Sequence, residues 1–180
     1  HLFADLLQAR LAQSEPDRAT RLLSRAAAWC EGQGLVAEAV GYALKAQDDE
    51  RAANLVARYA QQMLSQGEIE LVWSWLQALP DAVIAESAPL SITGGWVLWL
   101  RGQIGEIEAH LGDAERALSR EDAPSAQLGT ELAILRSFVA RYNNRFEAAV
   151  ALAERALGLA PDGLPAQANA QLRSLIFTAL

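Results

Sequence analysis

Few side chains in this sequence have the types and spacing that catalysis or metal binding requires. His110 is the single histidine inside the chain, and Cys30 is the single cysteine. Zinc sites in proteins use three or four protein ligands, so one imidazole and one thiolate would not hold the metal. The sequence also contains no GxxxxGK[ST] loop for nucleotide phosphates. We therefore expect no metal, no cofactor and no enzymatic activity in this chain.

The remaining reactive residues have structural interpretations. Cys30 falls on the buried side of a predicted helix, where a thiol acts as a small hydrophobic group. His110 stands beside the apolar Leu111, and we expect it at the surface or at the boundary of the core. Acid pairs occur near predicted helix ends, where capping and the helix dipole favour them, and these pairs are Asp48/Asp49 and Glu121/Asp122.

Aromatic residues form the group best suited to binding a ligand. Trp96 and Trp99 are three residues apart, so on a helix they point the same way. Phe138, Arg141 and Tyr142 have similar spacing further along the chain. Aromatic rings with a guanidinium suit a sugar, a peptide or another helix. The alternative is that these rings simply pack between repeats.

The other tryptophans are interpreted as packing residues. Trp29 and Trp75 can pack between helices. Trp73 is two residues from Trp75, so the two rings cannot share a helix face, and we expect Trp73 to be the more exposed.

The composition limits the class of partner. With 15 basic and 22 acidic residues in a chain of 180, the net charge is −7. Phosphate contacts need clustered lysine and arginine, so we expect no direct binding to nucleic acid. No apolar run approaches the ~18 residues that span a bilayer, so we expect no membrane span. A single cysteine permits no internal disulfide and suits a reducing, cytoplasmic location.

One short frame recurs four times along the chain. It opens with Gly or Asn, has an apolar residue two positions later, and begins at Gly34, Gly67, Gly102 and Asn144. The intervals lie near the ~34-residue period of tetratricopeptide-type helix pairs, and the last is longer. Gly and Asn tolerate the left-handed backbone that ends a helix. Each frame is therefore predicted to be the corner of a helical hairpin that stacks on its neighbours.

Positions at fixed distances from these corners agree across the repeats. Positions two, five, nine and twelve after the corner are apolar and lie on one face of the second helix. Seven residues before the corner the residue is small, which permits close approach of two helices. The small residues are Ala27, Ala60, Gly95 and Ser137. Twelve residues before the corner stand Leu22, Leu55, Leu90 and Leu132.

The repeat predicts an all-α fold, a tetratricopeptide-like α-α superhelix of antiparallel helix hairpins. The predicted helices of the first hairpin run from about Pro16 to Gly32 and from about Val36 to Ala46. In the second hairpin the first helix is predicted to end at Ser65 and the second at Leu79, before Pro80. The third hairpin is predicted to start near Pro89 and end near Arg120, and the fourth to end at APDGLP. A half repeat from Pro165 to Leu180 would follow, with Leu172, Leu175, Ile176 and Ala179 half exposed.

The concave surface of tetratricopeptide-type arrays is lined by the first helix of each pair. Transferring those positions to this chain predicts a groove in which the aromatic residues lie together. The candidate concave binding surface consists of Gln61, Leu64, Trp96, Trp99, Phe138, Arg141 and Tyr142.

Three stretches resemble the central region of MalT-type LuxR-family transcriptional regulators, which are ATP-dependent proteins of the signal-transducing NTPase class. They are HLFADLLQARL, RAAAWCEGQGLVAEAVGYALKAQDDERAANLV and WLQALPDAVIAESAPLSITGGWVL. The family order is a nucleotide-binding domain, a winged-helix element, a superhelix and a helix-turn-helix. The resemblance is specific from about Leu2 to Leu118. It implies that residues 1–14 end the winged-helix element, that residues 15–180 are about four and a half repeats, and that ATP binds elsewhere in the parent protein.

The resemblance implies a sensor and assembly module. Such a module would bind a small-molecule inducer or a partner protein, contact other domains of the parent protein and couple binding to self-association. Both chain ends lie within amphipathic patterns, which also suggests a segment of a longer protein. The alternative is a free-standing helical scaffold that binds peptides or proteins in its groove.

Overall fold

A computed structural model describes residues 14–121, 123, 125–160, 172–174 and 176. These residues form helices and connecting turns with no β-strand among them, so the predicted all-α fold is confirmed. Helices joined by a short corner pack against each other. The helices are α1 (Pro16–Gly32), α2 (Val36–Lys45), α3 (Asp49–Ser65), α4 (Ile69–Ala78), α5 (Asp81–Glu86), α6 (Ala88–Leu100), α7 (Ile107–Ser119), α8 (Ala126–Tyr142) and α9 (Phe146–Leu159), with a 3₁₀ turn at Ile104–Glu106.

The chain divides into two compact units, His1–Ile84 and Ala85–Leu180. Helices α1 to α4 belong to the first unit, and α6 to α9 belong to the second. The winged-helix-like element predicted at residues 1–14 lies outside the described residues except for Ser14, as does most of the predicted half repeat. The winding of the hairpins into a tetratricopeptide-like superhelix stays a prediction.

All four predicted corners have the left-handed backbone conformation. Their φ angles are 74° at Gly34, 86° at Gly67, 74° at Gly102 and 57° at Asn144. At the first corner the Gly34 amide donates to the Glu31 carbonyl at 3.0 Å, and the Leu35 amide donates to the Cys30 carbonyl at 2.9 Å. The other corners repeat this pair of bonds. The bonds satisfy carbonyls that a helix end would otherwise leave open, so one residue both ends a helix and turns the chain.

A fifth corner of this kind joins α2 to α3, where no Gly or Asn marks it. Gln47 has a φ of 56°. Its amide donates to the Leu44 carbonyl at 3.0 Å, and the Asp48 amide donates to the Ala43 carbonyl at 3.1 Å. The Asp48 carboxylate then accepts from the Arg51 amide at 3.1 Å, which caps α3 as expected.

Gln47→Gly is expected to stabilise the protein by about 0.5–1 kcal/mol. A side chain in the left-handed region costs ~1–2 kcal/mol, and glycine removes this strain while adding some entropy to the unfolded chain. Urea unfolding measures the difference. The reverse change at the first corner, Gly34→Gln, is the control and should destabilise the protein. A loss of stability in Gln47→Gly would contradict the assignment of strain to this residue.

The positions that the repeat assigns to helix contacts are buried. Ala27, Ala60 and Ser137 are 0 % exposed. A Cβ atom added at Gly95 would lie 2.7 Å from Leu135 Cδ2, so the two helices that carry these residues approach closely there. Positions five, nine and twelve after each corner are buried in all four hairpins: Ala39, Ala43, Ala46, Val72, Leu76, Leu79, Ile107, Leu111, Ala114, Ala149, Ala153 and Ala156.

Helix α1 differs from its repeat equivalents on one side. Leu22 is 44 % exposed, whereas Leu55 at the same repeat position is 3 % exposed. The prediction that Trp29 packs between helices is wrong, because its side chain is 62 % exposed. Both residues lie on the same side of α1, where their side chains are exposed. In contrast, Trp75 is buried, and Trp73 is the more exposed of the two, as predicted.

The prediction that Leu172 is half exposed is also wrong. Leu172 is 0 % exposed and belongs to a hydrophobic cluster with side chains of α8 and α9. Its neighbours in that cluster include alanines, namely Ala133, Ala140, Ala149, Ala153 and Ala156. Side chains this small leave room for a leucine from beyond α9. Ile176 packs against the same cluster, while Leu175 and Ala179 lie outside the described residues.

Candidate binding surface

Four of the candidate side chains form one aromatic cluster in the second unit. Trp96 and Trp99 come from α6, and Phe138 and Tyr142 come from α8. Phe138 meets Trp96 edge-on at 6.0 Å between ring centroids and stacks on Trp99 at 5.7 Å. Trp99 in turn meets Tyr142 edge-on at 6.3 Å. These arrangements are the offset and edge-to-face geometries that aromatic rings prefer.

The close approach of two helices positions the cluster. The absence of a side chain at Gly95 lets Leu135 of α8 lie against α6. Trp96 and Trp99 lie one helical turn apart, as do Phe138 and Tyr142, so each helix lines up two rings. The neighbouring Val97, Leu98 and Val139 are buried, which orients both helices.

The four rings of the aromatic cluster differ in burial, from packed against the core to exposed at the surface. Trp96 and Phe138 pack against the hydrophobic cluster of α8 and α9, and Trp99 is half buried. Tyr142 is 62 % exposed. The packing role and the surface role foreseen for these rings therefore belong to different members of one cluster. Whether the exposed end binds a ligand stays a prediction.

An open depression of about 590 Å³ adjoins Tyr142. Its lining mixes acidic, basic and amide side chains with backbone of the third corner. The lining residues are Gly102, Gln103, Ile104, Gly105, Glu106, Glu108, Val139, Tyr142, Asn143 and Arg145. Aromatic periodicity did not indicate the polar part of this site. The signal that could have done so is the clustering of polar residues at two corners, which lie side by side only after folding.

The ring contacts of the aromatic cluster do not include the remaining candidate residues. Arg141 is exposed on the last turn of α8, and Gln61 is exposed on α3 in the first unit. Cys30 is buried at 4 % exposure, as expected for a core thiol. His110 is half buried, at the predicted boundary of the core, and its ring covers Gly94, where an added Cβ would lie 2.7 Å from Nδ1. Among the described residues, no group of histidine, cysteine and acidic side chains could hold a metal ion.

Glu131 of α8 has a perturbed ionisation. Burial raises the pKa of its carboxyl group above the ordinary glutamate value, and the smaller effect of a hydrogen bond from Gln127 Nε2 at 3.2 Å lowers it. A raised pKa means that the folded protein holds this proton more tightly than the unfolded chain does. The stabilising contribution is therefore complete at acidic pH and is lost as the pH rises through the raised pKa.

Glu131→Gln is expected to raise the melting temperature at neutral pH and to flatten its fall between mildly acidic and neutral pH. The amide is neutral at every pH, so it carries no burial cost of ionisation. Melting curves across this range would measure the effect. Glu154→Gln, at an exposed site on α9, is the matched control and should leave the slope unchanged. A slope that persists in Glu131→Gln would show that another group causes it.

Comparison with known proteins finds no matching family model. The chain is 30 % identical over 167 residues to the serine/threonine-protein kinase PknK of Mycobacterium tuberculosis, covering 91 % of this chain and 15 % of the relative. It is 31 % identical over 167 residues to the HTH-type transcriptional regulator MalT of Vibrio cholerae, and this match covers 87 % of the chain and 18 % of the relative. It is 28 % identical over 161 residues to MalT of Yersinia enterocolitica, and the match covers 89 % of this chain and 18 % of the relative.

The chain spans less than a fifth of the length of these relatives. The shared stretch covers most of the chain, including the four corners, the aromatic cluster and the depression. In the part that the structure describes, no helix is long and apolar enough to cross a membrane. The chain is thus distantly similar, over most of its length, to a region of MalT, a LuxR-family regulator, and to a region of PknK.

Proposed function

We propose that this chain is the sensor and assembly module of a LuxR-family transcriptional regulator. It binds an inducer or a partner protein and couples that binding to self-association of the regulator. The nucleotide-binding and DNA-binding functions lie in other domains of the same protein, in a cytoplasmic setting. The exposed end of the aromatic cluster and the adjoining depression carry the proposal.

The kinds of protein that this chain resembles support a regulatory role. One relative is named as a kinase and the other as an HTH-type regulator, and this chain matches a short part of each. A region common to proteins with different outputs is more suited to receiving or relaying a signal than to producing either output. Its lack of a nucleophile–base pair or phosphate loop in the sequence agrees with this division of labour.

The chemistry of the site supports binding. Tyr142 presents an exposed aromatic face beside Glu106, Glu108 and Arg145, which line the depression. Small-molecule sites combine apolar surface with a few polar groups that fix orientation, and this site has both. Its volume of about 590 Å³ lies within the range of ligand sites, ~300–1,000 Å³.

The test is Tyr142→Ala in the full-length regulator that contains this chain. We expect a weaker transcriptional response to its inducer or partner, with little change in melting temperature because Tyr142 is largely exposed. Phe146→Ala removes another exposed ring of the same unit and is the matched control. Sedimentation velocity with and without inducer would report the coupled self-association. An unchanged response in Tyr142→Ala would remove this surface from the proposal.

The alternative is a free-standing scaffold that binds peptides in its groove. Degenerate helical hairpins with an exposed aromatic ring favour it, because such surfaces also hold peptides. Sedimentation velocity with and without the bound partner separates the two functions. A scaffold would bind peptides through Tyr142 with no change in assembly, whereas a sensor would change its assembly on binding.

A further inference from the structure

In the first unit two arginines of α3 share one carboxylate of α1, and we call Arg51, Leu55 and Arg58 the arginine fork. Arg51, Leu55 and Arg58 lie on one side of α3. Arg51 Nη2 is 3.2 Å from Glu31 Oε2, and Arg58 Nη1 is 2.8 Å from Glu31 Oε1, so the two guanidinium groups share one carboxylate of α1. Leu55 between them is 3 % exposed. The fork thus places a buried leucine between two arginines that bind one carboxylate.

The same residue types recur at the same repeat positions on α1. Arg18, Leu22 and Arg25 precede Gly34 by the same distances at which Arg51, Leu55 and Arg58 precede Gly67. Trp29 lies one further turn along that side of α1. We call Arg18, Leu22, Arg25 and Trp29 the α1 stripe.

The α1 stripe is exposed, whereas the fork on α3 holds a carboxylate and its central Leu55 is buried. Leu22 is 44 % exposed and Trp29 is 62 % exposed, and both arginines are also exposed. Arg18 pairs with Glu15 at 3.2 Å, but both side chains are exposed, so another carboxylate can replace Glu15. Tryptophan and arginine are enriched at protein–protein interfaces, so a surface that presents both beside an exposed leucine favours an interaction site.

We propose that the α1 stripe is a docking surface for an amphipathic helix supplied by another protein. The helix presents one carboxylate to Arg18 and Arg25 and small or aliphatic side chains to Leu22 and Trp29. Its carboxylate repeats the ion pairs that Glu31 of α1 makes with Arg51 and Arg58 of α3. Charge complementarity and the internal template both select a carboxylate-bearing helix. Phosphate binding would leave Leu22 and Trp29 unused, and the net charge of −7 opposes it.

The probe is a synthetic peptide with the sequence of residues 16–32, the helix that supplies Glu31 to the fork. Cys30→Ser prevents oxidation, and a covalent cross-link replaces Arg21 and Arg25 to hold the peptide helical. The peptide carries a fluorescent label and is titrated with the 180-residue chain, and the fluorescence anisotropy of the peptide is measured. We expect saturable binding that weakens at least tenfold when the chain carries Arg25→Glu. Arg155→Glu, the same charge change on α9, is the matched control and should leave binding unchanged.

Charge exchange gives a sharper readout. The peptide with Glu31→Arg should lose binding to the unaltered chain and regain it with the Arg25→Glu chain, which a merely structural role of Arg25 would not produce. Because Arg25 is exposed, both chains should give the same melting temperature. The proposal is overturned if peptide binding does not saturate, or if Arg25→Glu leaves peptide binding unchanged. It is also overturned if the chain self-associates and Arg25→Glu abolishes that self-association. Binding that appears only after deletion of residues 1–13 would also overturn it, since the occupant would then be intramolecular.

Discussion

Gly95→Leu is expected to lower the free energy of unfolding by about 1–3 kcal/mol, because it overpacks a close helix contact. Even the first added atom, Cβ, would stand 2.7 Å from Leu135 Cδ2 and 3.7 Å from Ile107 Cγ2. Leu135 and Ile107 are both 0 % exposed, so neither has free space to move into. The helices α6 and α8 must separate, which also disturbs the rings that they bring together.

Urea unfolding followed by circular dichroism would measure this loss. Gly158→Leu is the matched control, because Gly158 lies in α9 with no atom within 4 Å of an added Cβ. Leucine has the better helix propensity, so the control should match the unaltered chain or exceed it slightly. Equal unfolding curves for Gly95→Leu and Gly158→Leu would show that position seven before the corner is not a close contact.

Trp99→Ala is expected to destabilise the protein by about 2–3 kcal/mol. Full truncation of a buried tryptophan costs ~3–5 kcal/mol, and Trp99 is only half buried. It also loses two ring contacts, with Phe138 and Tyr142, each worth ~0.5–1.5 kcal/mol. Trp99→Phe should recover much of the loss, because it keeps an aromatic ring at this position.

Tyr142→Ala provides the comparison, since its ring makes one of the same contacts from an exposed position. Its expected cost is below about 1 kcal/mol, because a surface ring loses little buried area. Thermal and urea unfolding of both variants would establish the order. If Tyr142→Ala proved as costly as Trp99→Ala, the exposed end of the aromatic cluster would belong to the core, and its role in binding would have to be abandoned.

The hairpin corners were predictable because Gly34, Gly67, Gly102 and Asn144 leave a chemical signature. A left-handed residue selects glycine or asparagine, and a close helix contact selects a small side chain, so both appear in the sequence at fixed spacing. Gln47 shows the limit of this reasoning. Its neighbours hold it in the same conformation through the same two hydrogen bonds, and propensity alone gives no sign of them.

The candidate site was predictable to a smaller extent. Helical spacing brought Trp96 and Trp99 onto one face, and the repeat placed Phe138 and Tyr142 beside them. The depression next to Tyr142 was not foreseen, since its lining comes from two corners far apart in sequence. The burial of Leu172 was missed for a related reason. Periodicity within one segment does not reveal the space that alanines of another segment leave open.

Thiol labelling of Cys30 can measure how often the first unit opens. Cys30 is the single cysteine of the chain, and its thiol is 4 % exposed within α1. A thiol reagent in solution reaches it when the first hairpin opens, either alone or with the rest of the chain, so the labelling rate reports opening of the first unit. The second unit contains no thiol and stays silent in the same experiment. Labelling rates set beside global unfolding rates would therefore reveal whether the two units open as one cooperative body or in succession.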